Sequence, residues 1–250
     1  MSKTENKSSL EALYPFLNNK KADAANMNKM LLNSIEHKMQ QHQSVINEFF
    51  SKNNQAVVHC AQLIADMYKQ HKQLFTMGNG GSSSDASHIA VEFLHPVTTG
   101  RPALPAYDLS CDKTLITAIA NDVGYQHVYS RLVDNLLKEN DALIGVSTSG
   151  NSDNLIKAFS KAQEKGVVTI ALTGGNGGEI AKIGLDCCLV VESDSIHRIQ
   201  ECHVATYHIL WDLVHTLLAD DRGYLGKENN PDSNNKVAEK LKKELKNEIC

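Results

Sequence analysis

The sequence predicts an α/β protein: a three-layer sandwich on a five-stranded parallel sheet, with helices added at the N-terminal end. Three observations predict it. Short apolar, β-branched runs recur five times between residues 74 and 191, and segments of helical apolar period lie between several of them. The runs lack the polar alternation of half-exposed strands, so both faces of the sheet are covered by helices. Three of them end in stretches of Gly, Ser, Thr and Asn that lead on toward the next segment.

The elements follow in order. Two helices precede the sheet. Over 28–50, Met30, Leu31, Ile35, Met39, Val45, Ile46 and Phe49 recur at helical spacing, and over 57–67 Val57, Cys60, Ala61, Ile64 and Met67 do the same. The first strand is expected at 74–77, ending in Gly78, with a helix at 84–94. A second strand at 103–109 leads to helical segments at 114–120 and 128–138. The third strand is ALIGVS at 142–147, with a helix at 154–165; the fourth and fifth are expected at 167–172 and 187–191. A long helix runs from about 197 to 218. The domain layout is therefore a polar N-terminal extension (1–27), one α/β domain (28–220) and a polar C-terminal tail (221–250). In that tail KVAEKLKKELKNEI has the pattern of an exposed amphipathic helix.

Composition narrows the function classes. The net charge of −4 over 250 residues gives no basic excess for neutralising nucleic-acid phosphates, so nucleic acid is not expected as a partner. No apolar run reaches the roughly 18–20 residues of a membrane span, and the N-terminus shows no apolar core of a secretory signal. The six cysteines form no C-x-x-C pair and mostly sit in apolar stretches, which predicts free thiols and a cytoplasmic location.

Ligands of open α/β sheets bind beyond the carboxyl ends of the strands. There this chain has Gly78-Asn79-Gly80-Gly81-Ser82-Ser83-Ser84, then Ser147-Thr148-Ser149-Gly150-Asn151-Ser152, then Thr173-Gly174-Gly175-Asn176-Gly177-Gly178. Glycines allow close backbone approach, while backbone N–H groups, hydroxyls and the helix dipole favour an anion. Helix capping and turn chemistry select the same residue types. Two such loops at equivalent places in the sheet weigh toward phosphate. GNGGSS lacks the Gly-Lys-Ser/Thr ending of a P-loop, and Ser83 stands where a dinucleotide fingerprint has its third glycine.

On the helix that follows, His88 and Glu92 are four apart and share a face among apolar neighbours. A carboxylate on an apolar face is costly unless paired or used. The late helix carries Gln200, His203, His208 and, further on, His215. His203 and His215 read as satisfied structural residues. His88, Glu92, Gln200 and His208 make a mixed N/O set suited to a transition metal such as zinc. Gln200 and His208 are separated by roughly 12 Å along the helix axis, so one ion reaches both only from between them or across subunits.

Taken together, GNGGSSSDASHIAVE, IANDVGYQHVYSR, GVSTSGNSDNLIKA, IALTGGNGGEIA and RIQECHVATYH resemble the sedoheptulose 7-phosphate isomerase (phosphoheptose isomerase) family, within the wider sugar isomerase, or SIS, fold. The resemblance runs from about Met30 to Leu218. It implies a flavodoxin-like α/β fold and an aldose-ketose isomerase that converts sedoheptulose 7-phosphate to D-glycero-D-manno-heptose 7-phosphate, an early step toward lipopolysaccharide heptose. It implies a homotetramer with sites at subunit interfaces and one Zn2+ per subunit held by His88, Glu92, Gln200 and His208. Glu92 and His208 correspond to the catalytic pair. Ser147, Thr148, Ser149 and Ser152 correspond to the phosphate cradle. Asn79, Gly80, Ser82, Asp122 and Gln200 correspond to residues around the sugar.

The chain also departs from the family pattern. His95-Pro96 stands where many members have Gly-Arg, and His197 where an aspartate often precedes RIQE. These departures favour an alternative, a related SIS isomerase acting on another sugar phosphate. A second alternative is a non-catalytic tetramer of the same fold that binds the replication initiator. Glu92 discriminates against it.

Overall fold

The computed structural model describes residues 24–98 and 100–219. The readings made for the tail at 221–250, and for the polar extension up to residue 23, lie outside the described residues.

The first element is α1, Ala24–Lys69, a single continuous helix where the sequence suggested two. The interruption between the two apolar segments, SKNNQA, lowers helix propensity but contains neither Pro nor Gly. Its Ser51 hydroxyl and Asn53 amide donate to the carbonyls of Glu48 and Phe49, so these side chains bond to the helix they belong to and do not break it. The chain divides into two compact units, one ending at Ser44 and the other beginning at Val45. In the first unit Met30, Leu31, Ile35 and Met39 are each more than half exposed.

The second unit is the α/β body. Its strands are β1 (Leu74–Gly78), β2 (Ala106–Asp108), β3 (Ala142–Ser147), β4 (Val168–Gly174) and β5 (Cys187–Val191). They form one parallel sheet in the order β2-β1-β3-β4-β5. The α-helices after α1 are α2 (Gly81–Leu94), α3 (Lys113–Asp122), α4 (Val128–Leu136), α5 (Asp153–Glu164) and α6 (Ile196–Leu218). β2 is shorter than the expected 103–109 because Pro102 and Pro105 have no N–H to give a ladder.

Side chains alternate across the strands and define two cores. Leu74, Ile144, Ile170 and Leu172 face a layer made by α1 from Phe49 onward, α2 and α6. Phe75, Met77, Leu143 and Ala171 face α4 and α5. These are the three layers that the apolar runs predict. Because β1 and β3 are neighbours while their outgoing helices lie on opposite faces, the strand order reverses between them. The crevice at their carboxyl ends is the topological switch point of the sheet.

Candidate active site

Two loops flank this crevice. After β1 the chain turns at once. A Cβ on Gly78 would lie 2.2 Å from the Ser82 carbonyl oxygen, and Gly80 has φ of +56°. Both positions require glycine. The helix starts at Gly81, so the three serines belong to its first turn. After β3 the chain passes through Thr148–Asn151, and Ser152 is the N-cap of α5.

Capping chemistry separates these two helices from α3 and α6, while α4, with His127 at its N-cap, also has no side-chain cap. Asp112 caps α3 by accepting from the Leu115 N–H at 2.9 Å, and Ser195 accepts from the Arg198 N–H at the start of α6. At the switch point the N-cap of α2 is Gly80, with no side chain to offer, and Ser152 makes no cap hydrogen bond. Neither N-cap residue thus gives its helix a side-chain acceptor, although within the first turn of α5 Asn154 Oδ1 accepts from the Leu155 N–H at 3.1 Å.

The expected phosphate residues play different parts. Ser147 is buried, and its Oγ accepts from the Gly150 N–H and lies 3.3 Å from Ser152 Oγ, so it ties the loop together. Thr148 and Ser152 are half-buried and Ser149 is exposed. The third Gly-rich stretch, after β4, leads to a 3-10 turn at Ile180–Lys182 and not to an α-helix. It packs on the second loop backbone to backbone. A Cβ on Gly150, whose φ is +65°, would lie 2.0 Å from the Gly177 carbonyl oxygen, and Ile180 N–H donates to the Gly150 carbonyl at 2.9 Å. It is a buttress for the second loop.

Asn79 exchanges two 2.9 Å amide hydrogen bonds with Asn154 and accepts from the Tyr125 hydroxyl, also at 2.9 Å. It joins the β1 loop, α5 and the segment after α3. Ser82 is buried and Gly80 exposed. Asp122 ends α3, exposed, and accepts from the neighbouring Asn121 amide.

His88, Glu92 and His208 do come together. Their ligand atoms all lie within 4.8 Å of one another, and all three residues are half-buried. His88 Nε2 is 3.1 Å from Glu92 Oε1, and the His88 and His208 rings meet edge to face with centroids 5.0 Å apart. Two imidazoles and one carboxylate are a donor set that fits zinc and leaves room for a further ligand. Gln200 lies one turn nearer the start of α2: its amide donates to Asp85 Oδ2 at 3.2 Å and fills the space that a Cβ on Gly81 would need. That bond leaves the Gln200 carbonyl oxygen uncommitted. His203 and His215 are buried, and burial, with the Arg101 charge at His215, lowers both to a pKa of about 4, so they are neutral. They are not fully satisfied, because His203 Nε2 meets the Thr173 carbonyl at 2.9 Å while His203 Nδ1 and His215 Nε2 are buried without a hydrogen-bond partner among the described residues.

Four participants escaped the sequence reading. Asp85 is 7 % exposed; burial raises its carboxyl pKa, against the opposing effects of the Gln200 hydrogen bond and of His88. Tyr207 is 3 % exposed and its hydroxyl meets His88 Nδ1 at 2.8 Å. Burial, with the Asp85 and Glu92 charges, raises its phenol pKa. Tyr125 spans to Asn79. Trp211 donates to the Glu92 carbonyl at 2.8 Å and carries the Arg101 guanidinium 4.5 Å from its ring centroid, which fixes the end of α2 to α6. A signal existed for two of these: Asp85 precedes His88 by three, and Tyr207 falls one turn after His203 in a helix already suspect for its polar content.

Residues 39–174 match the family model described as the SIS domain. The chain is 45% identical over 154 residues to the phosphoheptose isomerase of Sulfurimonas denitrificans, covering 62% of this chain and 78% of that one. To the phosphoheptose isomerase of Geotalea daltonii it is 36% identical over 192 residues, covering 77% of this chain and all of the relative. Among solved structures, phosphoheptose isomerase GmhA from Neisseria gonorrhoeae aligns with a TM-score of 0.70 at 34% identity, covering 74% of this chain and 99% of its own. The phosphoheptose isomerase from Francisella tularensis aligns with a TM-score of 0.71 at 30% identity, covering 74% and 98%.

Proposed function

The chain belongs to the phosphoheptose isomerase family of SIS-domain proteins, and from that premise we propose that it isomerises sedoheptulose 7-phosphate to D-glycero-D-manno-heptose 7-phosphate through an enediol, supplying heptose precursors for the cell envelope. One observation carries the reading: α2 and α6 bring His88, Glu92 and His208 together as an acid/base trio, and α2 itself begins, like α5, at the switch point of the sheet with no side-chain cap from its N-cap residue.

The reaction moves a proton between adjacent carbons. Glu92 removes the proton from C1 of the ketose, and the C1–H electron pair forms the C1=C2 bond of the enediol as the C2 carbonyl oxygen gains a proton. Return of a proton to C2 and loss of the O1 proton then give the aldose. His208, beside Glu92 on the other helix, exchanges the oxygen-bound protons. Thr148, Ser149 and Ser152, with the first N–H groups of α5, hold the phosphate, while Ser147 holds the loop. Asn79, Gly80, Ser82 and Asp122 are placed by this reading around the sugar. His88, Glu92, Gln200 and His208 would hold a Zn2+, which when bound supplies Lewis-acid polarisation of the carbonyl. The reading further places the enzyme in the cytoplasm as a homotetramer. The exposed apolar face of α1 and the half-open trio support subunits closing over one another.

His95 and Pro96 lie just past Glu92, and His197 is exposed in the first turn of α6. They favour a second reading, the same chemistry on another sugar phosphate. Proton NMR of sedoheptulose 7-phosphate with the zinc-supplied protein in D2O tests both. An aldose anomeric signal is expected. No new signal and no exchange at C1, with turnover of a different ketose phosphate, would replace the first reading by the second.

A further inference from the structure

The Tyr207 hydroxyl lies 2.8 Å from His88 Nδ1, while the other ring nitrogen of His88, Nε2, faces Glu92 Oε1 at 3.1 Å. The Tyr207 ring packs edge-on against both histidines, with centroids 5.3 Å from His88 and 4.8 Å from His208. The proposed isomerisation gives Tyr207 no task. At 3 % exposure it is walled off from a substrate in the crevice. We propose that Tyr207 is a positioning residue: it fixes the ring and the tautomer of His88 so that the Nε2 lone pair is presented to the metal. This rests on the reading of His88 as a metal ligand.

The argument is one of proton counting. A neutral imidazole carries one N–H and one lone pair. For Nε2 to serve as a ligand, the proton must sit on Nδ1, and a metal-binding imidazole donates that N–H to an acceptor that fixes its ring. The Tyr207 oxygen is the atom within reach. When no ion is bound, the proton is better placed on Nε2, donating to Glu92, and Nδ1 then needs a donor. The Tyr207 O–H rotates and supplies it. A hydroxyl serves both tautomers in one geometry. A carbonyl or carboxylate would serve only the first, and an apolar side chain neither. Tyr207 therefore lets His88 release its pairing with Glu92 and accept the ion without moving its ring.

Two variants separate this proposal from the reading beneath it. Zinc affinity of the metal-free, full-length protein is measured by competition with a chromophoric chelator for wild type, Tyr207→Phe and His88→Ala. Tyr207→Phe keeps the ring and loses the oxygen, so affinity should fall about 10- to 100-fold while the melting temperature of the metal-free protein stays near that of wild type. His88→Ala should fall further. Wild-type affinity in Tyr207→Phe with loss in His88→Ala overturns the positioning role alone. Wild-type affinity in both overturns the ligand reading. Should Tyr207→Phe fail to fold, 15N spectra of histidine-labelled wild type decide. The His88 proton should be found on Nδ1 with zinc bound, and finding it on Nε2 would sink the proposal.

Discussion

At the scale of single residues, Glu92 and Gly81 give the sharpest tests. Glu92→Gln keeps the shape of the side chain and removes the base, so kcat should fall about 10²- to 10⁴-fold, with ligand binding retained. Turnover near the wild-type rate would end its assignment. Gly81→Ala tests Gln200 from outside. The added methyl would lie 2.4 Å from Gln200 Nε2, and the nearest atoms it meets all belong to that flexible amide, so the side chain must move. The φ at Gly81 is not positive and Ala favours helix, so the melting temperature should hold or rise. Activity should nonetheless drop about tenfold, the order that outer-contact changes at such sites produce. Unchanged kinetics would leave Gln200 without a part in the site. The same crowding shows why Gln200 was harder to place than Glu92: its partner Asp85 and its packing surface Gly81 lie more than 100 residues away in sequence.

At the scale of elements, the pattern of β1, β3 and β4 was legible because these strands, buried on both faces, carry mainly apolar residues broken only by Thr and Ser hydroxyls and by glycine. The helix bearing His88 and Glu92 was legible because two polar residues one turn apart stood out against Ile89, Ala90 and Phe93. The sequence could not show that SKNNQA leaves the helix uninterrupted, since weak formers without Pro or Gly decide only within a folded context. Nor could it separate the three Gly/Ser loops. Composition is blind to whether such a loop meets a ligand or another loop, and only the Gly150–Gly177 approach reveals the buttress. Gly150→Ala should therefore cost about 1–3 kcal/mol through strain at positive φ, seen as a melting temperature lowered by several degrees, and it should raise KM for the sugar phosphate. A variant as stable as wild type would refute the contact. His203 and His215 set the acid limit of this body. Each has a folded pKa of about 4, below the ordinary value near 6.5, so between those values the unfolded chain binds more protons. Stability should be full above about pH 6.5 and fall as pH drops toward 4. His203→Gln should flatten that slope in thermal melts recorded across the window; an unchanged slope would show that His203 does not contribute.

At the scale of the whole molecule, the N-terminal stretch of α1 poses the remaining physical problem. Met30, Leu31, Ile35 and Met39 are each more than half exposed, although fully burying such a side chain is worth about 1.5–3 kcal/mol. Leaving all four in water is a cost that a second copy of the same helix removes, and helical spacing puts them within reach of one another on its surface. The trio has the same incompleteness: the side chains of His88 and Glu92 are 42% and 20% exposed, more open than water-excluding proton transfer favours. One assembly would satisfy both surfaces, and light scattering after size exclusion should return about four times the 27.5 kDa chain mass. Ile35→Glu with Met39→Glu places charge on the apolar face far in sequence from any proposed site residue. The expected result is a smaller species with a folded α/β body and activity reduced at least tenfold, recovering in part at high protein concentration as mass action restores the assembly. A wild-type protein that runs as a monomer would refute the assembly itself. A dissociated variant with full activity would show instead that each subunit carries a complete site, and the openness of His88 and Glu92 would then belong to substrate entry.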